Sequence, residues 1–334
     1  MKYKSWKYGL FVSGGFIALF LINIRLGSEW IPWADFYGSL LGKDNLYATI
    51  LWDFRIPKAL TALLVGGSLG VSGLLMQTLF RNPLAGPFVL GISSGASLGV
   101  ALVLMGSAFI GLGGTNEWTL VGAALTGSLG VFFVIIWASF RIQSIMSILI
   151  LGLMFGSFTS AIVSNLSFFS TVENLQRFVF WGLGNLGGLS GHTLIILSTI
   201  VGFGLLLGIG ALKGLNAFIL GEEFAQSTGI PLKQVRILSI SCCCLLTGGC
   251  TAFVGPIGFI GLAVPHLCRI GFQLSNHKQL FPLCFVVGGG LLLACDTLAQ
   301  LPGSNYILPI NGVTSILGAP AVIWLIFKYK NIGY

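Results

Sequence analysis

Between Gly9 and Phe327 the chain returns ten times to an apolar run, and eight of the ten runs contain no Asp, Glu, Lys or Arg. A helix needs about 17–25 such residues to cross the hydrocarbon layer. Apart from a closed barrel, no other arrangement keeps backbone donors and acceptors satisfied there. The runs are Gly9 to Ile24, Ala59 to Phe80, Phe88 to Ile110, Leu120 to Phe140, Ile145 to Asn165, Thr193 to Leu212, Ile237 to Phe253, Ile257 to Ile270, Pro282 to Leu298 and Val313 to Phe327. With 55% hydrophobic and 8% charged residues and a mean hydropathy of +0.95, the chain lies outside the soluble class. The fold class expected is all-α: a polytopic membrane protein with ten transmembrane helices, in one domain over residues 1–334.

Lys and Arg set the orientation. With Lys2, Lys4 and Lys7 in the cytoplasm, ten crossings leave Arg81, Arg141, Lys213, Lys233, Arg236, Arg269, Lys278, Lys328 and Lys330 on the same side, twelve of the 17 basic residues in all. Arg25, Lys43, Arg55, Lys58 and Arg177 face outward beside Glu29, Asp35, Asp44, Asp53, Glu117 and Glu173. Both termini are therefore expected in the cytoplasm. Ile257 to Ile270 is short for a straight crossing at about 1.5 Å per residue, but treating it as re-entrant would move basic residues outside and weaken the bias. The basic start and first apolar run have the outline of a secretory signal. No small-x-small site follows before Arg25, so the run reads as an uncleaved helix.

What is missing narrows the chemistry. There is no GxxxxGK[ST], GxSxG or HExxH, and His192, His266 and His277 fall in separate loops or helix ends, so neither a catalytic residue nor a metal site is expected. Seven cysteines, including Cys242, Cys243 and Cys244, form no CxxC pair and sit in or beside apolar runs as small thiols. The net charge of +8 is scattered singly rather than gathered in a patch, which argues against a nucleic-acid partner. Asp296 is the one acidic residue inside an expected span. It reads either as the coupling group of an ion-driven carrier or as a hydrogen-bonded residue of a helix interior.

Glycine and proline punctuate the runs. Gly86-Pro87 and Gly255-Pro256 each follow a long apolar run and open a shorter Gly-rich one, on opposite sides by the charge count. That is the trace of an inverted repeat relating about 59–165 to 237–327. Residues Gly255 to Arg269, with their glycines and prolines, survive in lipid only where neighbours satisfy the backbone. The polar interval 213–236 reads as two short helices around a glycine turn, with Glu222 and Glu223 at a helix start and Gly229 and Pro231 at a stop. It is either a plain connector or a helix that docks into a partner's groove.

Three segments, Arg55-Ile-Pro-Lys58, Leu75-Met-Gln77 and Arg81-Asn-Pro-Leu-Ala85-Gly-Pro-Phe-Val-Leu-Gly91-Ile-Ser-Ser-Gly-Ala96, resemble the first signature block of the FecCD-type permeases. These are membrane subunits of ABC importers for iron-siderophore complexes, haem and vitamin B12. A second block is similar in Leu220-Gly-Glu-Glu223, Gly229-Ile-Pro231, Gly255-Pro-Ile-Gly-Phe-Ile-Gly-Leu262, Pro265-His-Leu-Cys-Arg269 and Gly318-Ala-Pro320. The resemblance covers about residues 55 to 325 in the family's order. It implies a permease dimer, expected to be a homodimer, with two cytoplasmic ABC ATPase subunits, an external substrate-binding protein and no cofactor. The location implied is the bacterial cytoplasmic (inner) membrane, in contact with lipid.

Carried over residue by residue, the resemblance implies that Arg55 and Lys58 dock the binding protein, Lys58 standing where Arg is commoner and giving up bidentate geometry. It implies a cytoplasmic gate from Asn82, Pro83 and Leu84 with Ile145, Met146 and Leu149 of the fifth helix. Gly221, Glu222, Glu223, Ala225 and Gly229 match the helix pair that couples to the ATPase. Ser157, Ser160 and Ser164 share one face of the fifth helix and either line the translocation path or bond to backbone and pack. His266 and Arg269 are expected to cap the end of the eighth helix. Leu301 to Pro309, where some relatives carry a further basic contact, has none. The function expected is the permease of an ATP-driven importer for an iron-siderophore, haem or corrinoid. An ion-coupled secondary transporter is the alternative.

Overall fold

The computed structural model describes residues 2–27, 30–42, 46–106, 116–142, 144–300 and 306–329. In chain order the helices are α1 (Lys2–Arg25), α2 (Trp33–Leu40), α3 (Leu46–Thr49), α4 (Ile56–Leu79), α5 (Ile92–Leu104), α6 (Glu117–Arg141), α7 (Ile145–Phe169), α8 (Val172–Gly182), α9 (Gly191–Phe218), α10 (Glu222–Ser227), α11 (Leu232–Val254), α12 (Ile260–Phe272), α13 (His277–Ala299) and α14 (Ile310–Tyr329). A π turn, Ile50–Arg55, leads into α4, and a 3-10 turn, Pro87–Leu90, leads toward α5. Each expected apolar run carries one of these helices. Among the described residues six are long and apolar enough to cross a membrane: α4 with its lead-in, α6, α7, α9, α11 and α13. The apolar parts of α1, α5, α12 and α14 are shorter.

The bundle is built around α4. Its residues from Val65 to Leu79 are all buried, with α13, α12, α11 and α9 packed around it. Small residues make this possible, because in lipid helices gain from close packing rather than from the expulsion of water. A Cβ on Gly73 would fall onto the Gly261 carbonyl, and one on Gly70 would stand 2.6 Å from the Cys284 carbonyl. α4 therefore meets α12 and α13 backbone to backbone. All seven cysteines are buried and unpaired, as small packing residues.

Two features depart from the sequence reading. Residues 213–236 do not form two short helices. Leu215 and Phe218 are buried and Gly214 receives Val235 of α11, so tertiary packing carries α9 on to Phe218 and starts α11 at Leu232, leaving only α10 between them. Outside the expected runs, α2 and α8 are helical as well. α8 begins at Thr171, whose hydroxyl accepts from the Asn174 amide, with Glu173 in the first turn.

The two Gly-Pro breaks end in like geometry. α5 and α12 are both 13 residues long, and each follows a residue with positive φ, 74° at Gly91 and 64° at Phe259. At Phe259, with ψ −34°, this sparsely populated conformation costs a non-glycine residue about 1–3 kcal/mol. Neighbours hold the turn: Gly258 donates its amide to Asn311 Oδ1 at 3.0 Å.

Candidate functional site

The 24-residue α4, ~36 Å long at 1.5 Å per residue, carries a polar cluster at each end. At its start, Lys58 Nζ lies 2.9 Å from Asp296 Oδ1 of α13. The other carboxylate oxygen accepts from Asn23 Nδ2 at 3.0 Å and from Gln300 Nε2 at 2.7 Å. Asp296 is 3% exposed at the side chain and Lys58 22%, so a buried charge is paired and also hydrogen-bonded, as burial requires. This is the helix-interior reading of Asp296. Lys58 is thus committed within the protomer rather than standing as a solvated cation. Arg55 donates from Nη1 to the carbonyls of Ile24 and Arg25 at 3.2 and 2.7 Å, closing the end of α1. Together with Asn23, Asn185 and Gln300, Arg55 and Lys58 line an open cavity of about 500 Å³.

At the other end the chain turns back over α4. Arg81 takes φ 47°, and the Asn82 amide bonds to the Gln77 carbonyl at 3.2 Å. Asn82 Oδ1 accepts from the Leu84 amide at 2.9 Å, an Asx turn that stiffens the 82–84 loop together with Pro83. His266 Nε2 meets the Pro83 carbonyl at 2.6 Å. A carbonyl only accepts, so the proton sits on Nε2. Arg269 donates from Nη2 to Thr78 Oγ1 at 3.3 Å, and Gln77 Nε2 donates to the Leu262 carbonyl at 3.1 Å. His266 and Arg269 were expected to cap their own helix. They bond across to α4 and its loop instead, because α12 packs so closely on α4 that their side chains reach it first.

The same cluster reaches α9 and α10. Thr78 Oγ1 meets His277 Nε2 at 2.7 Å, and Asn216 Oδ1 accepts from the His277 amide at 2.8 Å and lies 3.0 Å from Nδ1. Arg81 Nη2 donates to the Phe218 carbonyl at 3.3 Å, and the Gly221 amide bonds to the same residue's carbonyl at 3.2 Å. Gly221, at φ 120°, turns the chain into α10 in a conformation that only glycine adopts without strain. Gly229 ends the segment at φ 78°. Ala225 is on the buried side of α10, while Glu223 and Phe224 are exposed. Glu222 opens α10. No spacing rule joins Thr78, Asn216 and His277, which come together only in space. The Asn276 cap before His277 was the one local sign of a structured α13 start.

The remaining expected residues lie on α7. Met146 is exposed, Ile145 half-buried and Leu149 buried. Further along, a Cβ on Gly152 would stand 2.8 Å from Leu90 Cα, so α7 packs against the turn that follows the 82–84 loop. Ser157 donates to the Leu153 carbonyl at 3.2 Å and Ser164 to the Ser160 carbonyl at 2.9 Å. Ser157, Ser160 and Ser164 are exposed in the protomer, on a face that also shows Leu153.

The model of the FecCD transport family matches residues 15–328. The chain belongs to the FecCD transport family. The vitamin B12 import system permease protein BtuC of Klebsiella pneumoniae subsp. pneumoniae is 34% identical over 330 residues, covering 99% of this chain and 96% of that one. BtuC of Citrobacter koseri is 33% identical over 311 residues, covering 93% and 91%. A solved structure described as an inward-facing conformation of a metal-chelate type ABC transporter superposes with a TM-score of 0.84 at 27% identity, over 96% of this chain and 99% of that one. PsaBC from Streptococcus pneumoniae, at TM-score 0.56 and 19% identity over 87% of this chain and 94% of that one, shares the fold. This FecCD-family chain is a membrane permease of an ABC importer and not an enzyme.

Proposed function

We propose that this permease carries a bulky metal chelate inward across a bacterial cytoplasmic membrane, and that its substrate is a corrinoid, the cargo named for its BtuC relatives, ahead of the iron-siderophores and haem of the wider family. It works as a homodimer. Two ATPase subunits press on α10 at the Arg81 end, which faces the cytoplasm with both termini, and a binding protein docks at the Lys58 end.

One observation carries this reading. Hydrogen bonds run without a gap from α10 through Phe218 and Arg81 to the 82–84 loop, which His266 ties to α12. A motor pushing on α10 therefore moves the residues proposed as the gate, Asn82, Pro83 and Leu84, with Ile145, Met146 and Leu149 of α7 opposite. Gly221, Glu222, Glu223 and Gly229 form the coupling surface, seated on the buried Ala225, and the hydroxyl-bearing face of Ser157, Ser160 and Ser164 lines the path in the dimer. Arg55 and Lys58 receive acidic groups of the binding protein, Lys58 sharing its charge with Asp296. The matched geometry of α5 and α12 supports reading about 59–165 and 237–327 as inverted halves.

Ion-coupled transport fits less well, since the carboxylate it would use already holds three donors. The test is co-expression with the neighbouring ATPase and reconstitution with cyanocobalamin as the probe. Uptake is expected to require ATP and to fail with a proton or sodium gradient alone. Glu222→Lys with Glu223→Lys should abolish both uptake and ATPase co-purification. Accumulation driven by an ion gradient without ATP would overturn the proposal.

A further inference from the structure

The stretch between α1 and α4 carries apolar side chains on both of its sides. Inward, Ile31, Phe36 and Leu51 are buried in the core. Outward, Trp30, Trp33, Tyr37, Leu41, Leu46 and Trp52 are each more than half exposed. The charged residues of 30–54 are Asp35, Lys43, Asp44 and Asp53. A segment with apolar residues on two sides is normally covered on both, yet among the described residues only Arg25 lies over the outer face of α2.

We propose that phospholipid covers it: residues 30–42 and 46–54 lie in the headgroup layer at the Lys58 end as an interfacial anchor. Three features favour lipid over a protein partner. Trp and Tyr, amphipathic rings suited to the membrane–water boundary, supply most of the outer face, and Trp33 stacks on Tyr37 with ring centroids 5.8 Å apart. A cation suited to a lipid phosphate sits among them. The Arg25 guanidinium lies 3.7 Å from the Trp33 ring centroid and 4.6 Å from that of Trp30, and its Nε donates to the Ile31 carbonyl at 3.2 Å. The patch also continues a stripe already turned toward lipid, since Ile17, Leu21 and Ile22 are exposed along α1 up to Arg25.

The anchor is tied to the rest of the molecule. Trp52 Nε1 donates to the Ser39 carbonyl at 3.2 Å, joining the lead-in of α4 to α2. Arg55 holds the carbonyls of Ile24 and Arg25. The depth at which the rings settle thus fixes the height of Arg55 and Lys58 above the bilayer. Only this last consequence rests on reading that end as the docking face.

Full-length permease with Trp33→Cys or, separately, Leu41→Cys can be labelled with bimane, because all native cysteines are buried, and placed in vesicles of phosphatidylethanolamine and phosphatidylglycerol. Leu41→Cys keeps the Arg25–Trp33 contact intact, so a folding defect in the Trp33 variant does not decide the result. The expected result is blue-shifted emission, quenching by headgroup-level nitroxide lipid stronger than by chain-end nitroxide, and loss of quenching by aqueous iodide. Iodide quenching without a response to nitroxide lipid would show a water-exposed patch awaiting a soluble protein. Silence toward both quenchers would mean coverage by a second copy of the chain. Either outcome overturns the proposal, and neither bears on ATP-driven uptake.

Discussion

Lys58 and Asp296 form a buried ion pair whose separation is costly. Lys58→Met leaves a carboxylate buried without its cation, and it should lower unfolding stability by about 3 kcal/mol, the low end for a buried pair because Lys58 keeps some contact with water. Lys58→Met combined with Asp296→Leu should recover most of that loss, measured by thermal unfolding in detergent. No recovery would mean that the pair is not the source of the defect. His266 makes a different prediction. One hydrogen bond to Pro83 is worth about 1–1.5 kcal/mol, so His266→Ala should raise passive cyanocobalamin leak through the reconstituted complex by up to about tenfold. His266→Gln, which can still donate, should fall between the two, and a leak equal to that of wild type would separate His266 from the gate. Lone residues were the hardest part to read in the sequence. Asp296 stood out as an acid in an apolar run, but its partners Asn23 and Gln300 belong to segments far apart in the chain or to a helix end with no motif. His266 and Arg269 read as a pair at a helix end, and the direction in which they point is not legible from spacing.

Helices were more legible where apolar length alone decides them. Every expected run contains a helix, and six of these among the described residues are long and apolar enough to cross a membrane, since a lipid-exposed backbone has no cheaper solution. Legibility failed where packing overrode local signals. The apolar run ends at Leu212, but Gly214 serves as the seat for Val235, so α9 continues through the polar interval to Phe218. The aromatic residues of 30–54 read as part of an outer loop because their two-sided apolar pattern is invisible until burial separates Ile31 and Phe36 from Trp33 and Tyr37. The glycines of α4 can be tested directly. A Cβ at position 73 collides with the Gly261 backbone, whereas one at Gly130 of α6 meets nothing within 4 Å. Gly73→Ala should therefore sharply reduce the yield of folded permease on size-exclusion chromatography, and Gly130→Ala should leave it unchanged. Equal yields would mean that α4 and α12 are not in backbone contact.

For the molecule as a whole, the motifs identified the family and the order of its parts, and the bundle explains how distant parts act together. α4 begins at Lys58's ion pair and ends at the loop bonded by His266, with backbone contact to α12 and α13 in between. Such a rod transmits displacement and absorbs little of it. The Lys58 and Arg81 ends are then two handles on a single shaft. A defect introduced at one handle should be rescued by second-site changes at the opposite one, and random mutagenesis of a weakened Lys58 variant is expected to return suppressors clustered around Arg81, a whole membrane thickness away.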